Sequence, residues 1–272
     1  MRLTHAADLL RGRTDADSLA AAGLFNAVRH PDQSLRLIAE ATAAAPERAD
    51  LVWLQIQMCQ AEPTCDPEPV ERRLRSLDAS NGAAWMGALI RANRANDEQA
   101  KSAALAAMRR SERVDVYWTT LIARLSRATA NTKALSLTEA EIDVIGILSA
   151  RAIPAYQVLS KVCNTERLER ADGVEVCRGV ATALMHGDTY ITELMGVAMA
   201  KRLWPEGSPQ WIEAAEARRS FDYRMTFSSH TEAWIAAHTD EFLILCADHR
   251  REQDVFKAEL IAIGKNPDPS PN

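Results

Sequence analysis

The chain has 272 residues, 47% of them apolar and 6% aromatic, with 11 glycines; that is enough for one elongated helical domain or two compact ones around a sizeable core. Its 32 basic and 37 acidic residues leave a net charge of −5, which excludes the dense basic face a nucleic-acid-binding protein needs to displace counterions. No apolar run approaches the roughly 18 residues of a transmembrane helix, and the stretch from Met1 to Arg13 lacks the apolar centre of a signal peptide. Read literally that is a cytoplasmic start, and a chain beginning after a removed signal has the same look.

Apolar spacings of three and four recur along the chain and strict alternation persists nowhere, so helices are expected and no strand. The first is expected over residues 17–29. His30-Pro31 interrupts it, and a second runs over 32–45, where Pro46 ends it. The next carries Trp53, Ile56 and Gln57 and reaches Cys59. Asp66 followed by Pro67 marks another start, an acid at the cap and proline at the first helical position, with Val70, Leu74 and Leu77 on one stripe. After Asp78-Ala79-Ser80-Asn81-Gly82-Ala83-Ala84-Trp85 a helix is expected to start at Asn96, capped by its side chain with Gln99 reaching back. Trp118, Leu121, Ile122 and Leu125 begin another. Beyond the polar stretch 129–137, Thr138 and Glu141 have the spacing of a capping box, and Pro154 breaks the helix they start. Further helices are expected over 154–163, 173–187, 189–204, 209–226 and 229–247, with start signals at Asp188, Ser208-Pro209 and Ser229-x-x-Glu232. A last helix ends near Gly264, and the proline-rich tail 265–272 is expected to be disordered.

Trp53, Trp85 and Trp118 lie 32 and 33 residues apart. Each accompanies a helical segment, the pattern of a helical-hairpin repeat in which one unit recurs and stacks on its neighbours. An indole at a fixed place in each hairpin fills the seam between hairpins. The junction around Asp78, Asn81 and Trp85 resembles the boundary between tetratricopeptide-type repeats, over residues 17–128. The chain departs from that pattern after the tryptophans, where Trp85 is followed by Met86-Gly87 and Trp53 by Leu54-Gln55. The resemblance implies an all-α fold, an α-solenoid of antiparallel helical hairpins without a β-sheet. It places repeats over 1–128, a helical array packed on them over 129–264, and a surface for a protein or peptide partner. The chain is also similar to exported helical proteins of Gram-negative bacteria, a likeness that implies no activity.

Cys59 and Cys65 flank one turn, and Cys163 and Cys177 flank another. Helix ends on either side of such breaks can approach to about 4.4–6.8 Å between Cα atoms, as a disulfide requires. Two local disulfides and one unbridged buried thiol, Cys246, are expected; five independent thiols is the other reading. Disulfides would place the protein in the periplasm or cell envelope. Neither cysteine spacing suits a zinc knuckle.

The remaining polar residues point weakly to chemistry. His230, Trp234 and His238 share the face of a continuous helix, but at about 1.5 Å per residue the two histidines are ~12 Å apart, too far for one metal ion. His186-Gly187-Asp188 reads as a helix stop followed by a start. Arginines cluster at Arg72-Arg73-Arg75, Arg109-Arg110-Arg113, Arg218-Arg219 and Arg250-Arg251. Such runs usually form solvated faces; Arg72, Arg73, Arg109 and Arg110 are the candidates for partner binding. Dinucleotide, phosphate-loop, nucleophile-elbow and zincin motifs are all missing. The expectation is therefore a binding scaffold without catalytic residues, cofactor or metal. The alternatives are an envelope inhibitor or immunity-type protein that blocks one enzyme, and a helical enzyme of unrecognised type.

Overall fold

A computed structural model describes residues 2–269 apart from 61 and 152. Among the described residues the chain is all-α, 73% helical and without a β-sheet. In chain order the helices are α1 (Arg2–Arg11), α2 (Ala16–Asn26), α3 (Pro31–Ala44), α4 (Ala49–Gln60) and α5 (Glu68–Leu77). A 3-10 turn, Gly82–Trp85, leads into α6 (Met86–Arg94), α7 (Glu98–Arg109), α8 (Trp118–Ala130) and α9 (Leu137–Arg151). Then come α10 (Gln157–Val162), α11 (Thr165–Leu168), α12 (Gly173–Met185), α13 (Tyr190–Leu203) and α14 (Pro209–Met225). The last three are α15 (Ser228–Ala237), α16 (Thr239–Asp248) and α17 (Glu252–Ala262).

Short polar side chains set many of the starts, because the first backbone N–H groups of a helix have no partner within it. Asp15 accepts from the Ser18 N–H at 2.9 Å, and Thr189 accepts from that of Thr192 at 3.1 Å. Pro31 and Pro209 stand in the first turns of α3 and α14, where a missing N–H costs nothing. Several expected boundaries shift, and α1 precedes the helix expected first. The cap of α7 is Asp97, which accepts from the Ala100 N–H at 3.0 Å, while Asn96 takes the left-handed φ of 52° that asparagine tolerates. The capping box of α9 is Ser136 with Glu139: each side chain accepts the other's backbone N–H, at 3.2 and 2.8 Å. Thr138 instead meets Thr239 at 2.8 Å. Finally, the helix expected over 229–247 is two helices, broken where His238 leaves helical geometry at φ −132°, ψ 41°.

The chain folds into two compact units. The first comprises Met1–Asp78, Val116–Pro154 and Ala236–Arg250; the second comprises Ala79–Asp115, Ala155–Ile235 and Arg251–Asn272. Residue 128, the expected division, lies inside α8 and so inside unit 1. The local hairpin pattern alone does not reveal that α2 also packs on α8, and α8 on α16.

In unit 1 consecutive helices pack as pairs from α1 to α5, as do α8 and α9. Leu10, Leu24, Ile38, Leu51, Leu54, Leu121 and Leu125 are wholly buried in its core. Arg48 stands before α4 and holds Asp17 of α2 at 2.8 Å and Asp50 of α4 through Nε at 2.8 Å. One guanidinium thus joins two helix N-termini, where carboxylates are already favoured.

In unit 2, α6 pairs with α7, α12 with α13 and α13 with α14, and α7 also packs on α12. Asn81 is wholly buried there. Its Oδ1 accepts from the Ala83 and Asp115 N–H groups at 3.0 and 2.9 Å, and its Nδ2 donates to the Asp115 carbonyl at 2.9 Å. That side chain fastens the 3-10 turn to the strand-like segment after α7, where Asn81 and Arg113 form an isolated bridge. Gly196 of α13 lets two helices touch at backbone level: a Cβ there would lie 2.5 Å from the Met185 nitrogen and 2.8 Å from the Leu184 carbonyl carbon.

Candidate functional site

The residues singled out in the sequence fall in several places. Cys59 bonds Cys65 and Cys163 bonds Cys177, with Cα atoms 5.3 and 5.9 Å apart, while Cys246 is buried outside either disulfide. Trp53 is buried in the second turn of α4, and Trp118 is buried as the first residue of α8. Trp85 is half-buried and ends the 3-10 turn before α6. The constant sequence spacing therefore maps onto three different helical positions. Arg73 caps the C-terminal end of α3 by donating to the Thr42 and Pro46 carbonyls at 3.2 and 2.8 Å. Arg109 pairs with Glu175. Arg72 is exposed and 3.8 Å from Glu68, and Arg110 is exposed at the end of α7. Because α15 ends at Ala237, His230 and His238 do not share a helix. Among the described residues no three His, Cys, Asp or Glu side chains are grouped as metal ligands.

The side chains that do converge lie in unit 2. A cavity of about 240 Å³ is lined from α12 by Met185, from α13 by Glu193, and from α14 by Glu213, Ala217, Ser220 and Arg224. The start of α17 adds Arg251, Gln253, Asp254 and Lys257, and the segment after α17 adds Asp268. The lining is apolar where Ala217 packs against the cluster of Met185, Val197, Ala200 and Ala214. Elsewhere it is charged, with both signs present.

Arg224 is the unusual member. It is 1% exposed, and its Nε is buried without a hydrogen-bond partner among the described residues. A guanidinium stays charged at any ordinary pH, and burying one without full pairing is costly. Its guanidinium lies 6.0 Å over the Tyr190 ring, and that ring makes edge contacts with Phe221 at 5.1 Å and Phe256 at 6.0 Å. Glu193 is also buried. Burial pushes its carboxyl above the usual range, and Arg251 and Arg224 oppose that shift. Arg251 donates to the Gly187 and Met185 carbonyls at 3.2 and 3.1 Å and lies 3.6 Å from Glu193, so it is held by the end of α12. Glu252 is pushed up to about 7 by burial, although its Oε2 accepts the Tyr190 N–H at 2.7 Å.

The segment after α17 completes the cavity. Gly264 takes φ 70°, and the Lys265 N–H donates to the Leu260 carbonyl at 2.8 Å, the cap that lets the chain turn off a helix end. The chain then runs on without regular structure. Lys265 lies 5.9 Å over the Phe227 ring, Tyr223 donates its hydroxyl to the Asn266 carbonyl at 3.2 Å, and Asp268 reaches Arg224 at 3.7 Å and Lys257 at 3.9 Å. Residues 265–269, expected to be without fixed structure, are thus tethered to α14 and α17, and 270–272 lie outside the described residues.

Of these groups only Arg251 stood out in the sequence, as half of the Arg250-Arg251 pair, because Glu193, Arg224, Arg251 and Asp268 come from four separate stretches. One signal was present: Ala214, Ala217, Phe221 and Arg224 recur at spacings of three, four and three, so the apolar stripe of α14 runs onto an arginine. Beyond the geometry, no family model matches the chain, and no curated protein or solved structure matches it either.

Proposed function

We propose that this chain is a non-catalytic binding protein of an oxidising compartment, the bacterial cell envelope, and that unit 2 receives an extended acidic segment of a protein partner at Arg224. The observation that carries the reading is the placement of residues 265–269. An irregular stretch of chain is held by a backbone carbonyl, a cation over a ring and a carboxylate directed to a buried guanidinium. Recognition of an acidic motif by arginine is a recurring way of holding a peptide. At 3.7 Å with its side chain 58% exposed, Asp268 pairs only loosely with Arg224, so a better-placed carboxylate from a partner can displace it. The two disulfides support the compartment. The consecutive helix pairs support the finer reading, tetratricopeptide-type hairpins stacked as a solenoid.

The test is fluorescence anisotropy with a labelled peptide of residues 265–272, measured on the full chain, on the full chain carrying Asp268→Asn, and on a chain ending at Gly264. The attached tail competes at an effective concentration of about millimolar, so both altered chains should bind the peptide more tightly than the full chain. A peptide with asparagine in place of its aspartate should bind about tenfold more weakly, the loss of one charge-assisted contact. If the Asp268→Asn chain keeps its helical circular dichroism and binds neither peptide, the reading fails.

A further inference from the structure

Unit 2 contains a second cavity, of about 210 Å³, lined by residues of α6, α7 and α10 and of the stretch from Asn164 to Arg170. We infer that it is a binding site for a phosphate-type oxyanion, held in shape by the Cys163–Cys177 disulfide. This site is independent of the peptide-binding reading.

Four cations face the cavity, Lys101, Lys161, Arg167 and Arg170, against two acids, Glu98 and Glu166; this excess stands out in a chain of net charge −5. The acids are engaged on one side. Glu98 pairs with Lys101 and with Arg170 at 3.0 Å, and Glu166 lies 3.4 Å from Arg170. Lys161 is exposed, and no acid of the described residues lies within ion-pair distance of it. Arg167 is 6% exposed. Its Nη1 donates to the Ser102 hydroxyl at 2.8 Å and its Nη2 lies 3.4 Å from Asp172, yet its Nε is buried with no hydrogen-bond partner among the described residues.

The amides add donors rather than acceptors. Asn164 Oδ1 accepts the Arg167 N–H at 2.9 Å, and Asn96 Oδ1 accepts from Lys101 Nζ at 3.3 Å, so each leaves its NH2 group for a ligand. A planar carboxylate is best met by two parallel donors from one guanidinium, and the two terminal nitrogens of Arg167 are already engaged. Single donors from Lys161, Arg167, Asn96 and Asn164 suit the spread oxygens of a tetrahedral anion instead. The disulfide matters because Cys163 stands between two lining residues, Val162 and Asn164, and is tied to Cys177 of α12. That bond fixes the stretch that carries Asn164 and Arg167.

Calorimetric titration of the full chain with inorganic phosphate tests the site. Saturable binding is expected, weakening about tenfold in Lys161→Gln through loss of one charge-assisted contact. That variant removes an exposed side chain that has no ion-pair partner among the described residues, so the fold should stay intact. A phosphomonoester that binds more tightly than inorganic phosphate identifies an organic phosphate as the ligand, and one that binds more weakly identifies the free ion. No saturable heat, equal affinity in Lys161→Gln, or acetate binding as tightly as phosphate would overturn the assignment. A Cys163→Ala/Cys177→Ala chain that keeps its helical spectrum should bind phosphate more weakly. Unchanged affinity would overturn the part given to the disulfide.

Discussion

Replacing Glu252 with glutamine should change how stability depends on pH. In the native protein burial raises the Glu252 carboxyl from 4.5 to about 7, and the side chain accepts the Tyr190 N–H. A raised carboxyl binds its proton more tightly in the folded state than in the unfolded one. The stability it contributes is complete below the unfolded value of 4.5 and is lost as pH rises through about 7. From those two values the native chain should lose about 2–3 kcal/mol between about pH 5 and about pH 8 through this group alone. Glutamine keeps an oxygen for the Tyr190 N–H and carries no charge. Glu252→Gln should therefore match the native chain near the acid end and exceed it by about 2–3 kcal/mol near the alkaline end. Urea unfolding followed by circular dichroism across that range measures the difference. Parallel stability curves for the two chains would refute the reasoning, because they would mean that Glu252 ionises in the folded protein as it does in the unfolded chain.

Gly196→Ala should destabilise by about 3 kcal/mol or more, since its Cβ meets backbone atoms of Ala181, Leu184 and Met185, which cannot rotate away; a melting temperature equal to that of the native chain would show that α12 and α13 can separate freely. Thiol titration of protein isolated from its native compartment, under denaturing and non-reducing conditions, should give one reactive thiol per chain, from Cys246. Five would defeat both pairings and the compartment inferred from them.

Much of the local architecture could be read from the residues. Prolines such as Pro31 and Pro209 announce helix starts because their fixed φ suits a first turn, and that rule needs no knowledge of the rest of the fold. The cysteine pairs were legible for a similar reason, since the partners are close in sequence, 6 and 14 residues apart, although the stretch between Cys163 and Cys177 holds the short helix α11 as well as a turn. Where two capping solutions compete the sequence alone does not decide. Ser136 with Glu139 and Thr138 with Glu141 have the same spacing, and Thr138 is drawn away by Thr239, a residue 101 positions distant. The Arg224 cavity fails to announce itself for a stronger version of that reason. Arg218 and Arg219, which stood out as a pair, are exposed and matched to Asp222 and Glu216, whereas Arg224 on the same helix is buried. Nothing in its immediate neighbours says which side of α14 faces inward except the stripe of Ala214, Ala217 and Phe221 that leads to it.

The interleaving of the two units has a consequence for how the chain can be made. It passes between them five times, at residues 78, 115, 154, 235 and 250. An N-terminal piece ending at 128 would hold α1 to α5 and most of α8 yet lack α9 and α16, and so would leave the α8 surface under α16 bare. Unit 1 cannot close before Arg250 has been synthesised, and unit 2 waits for α17. Contacts spanning more than a hundred residues are slow to form because long loops must close first. A growing chain of this kind stays open until nearly its whole length is available, so its early helices wait, partly unpacked, for partners made last.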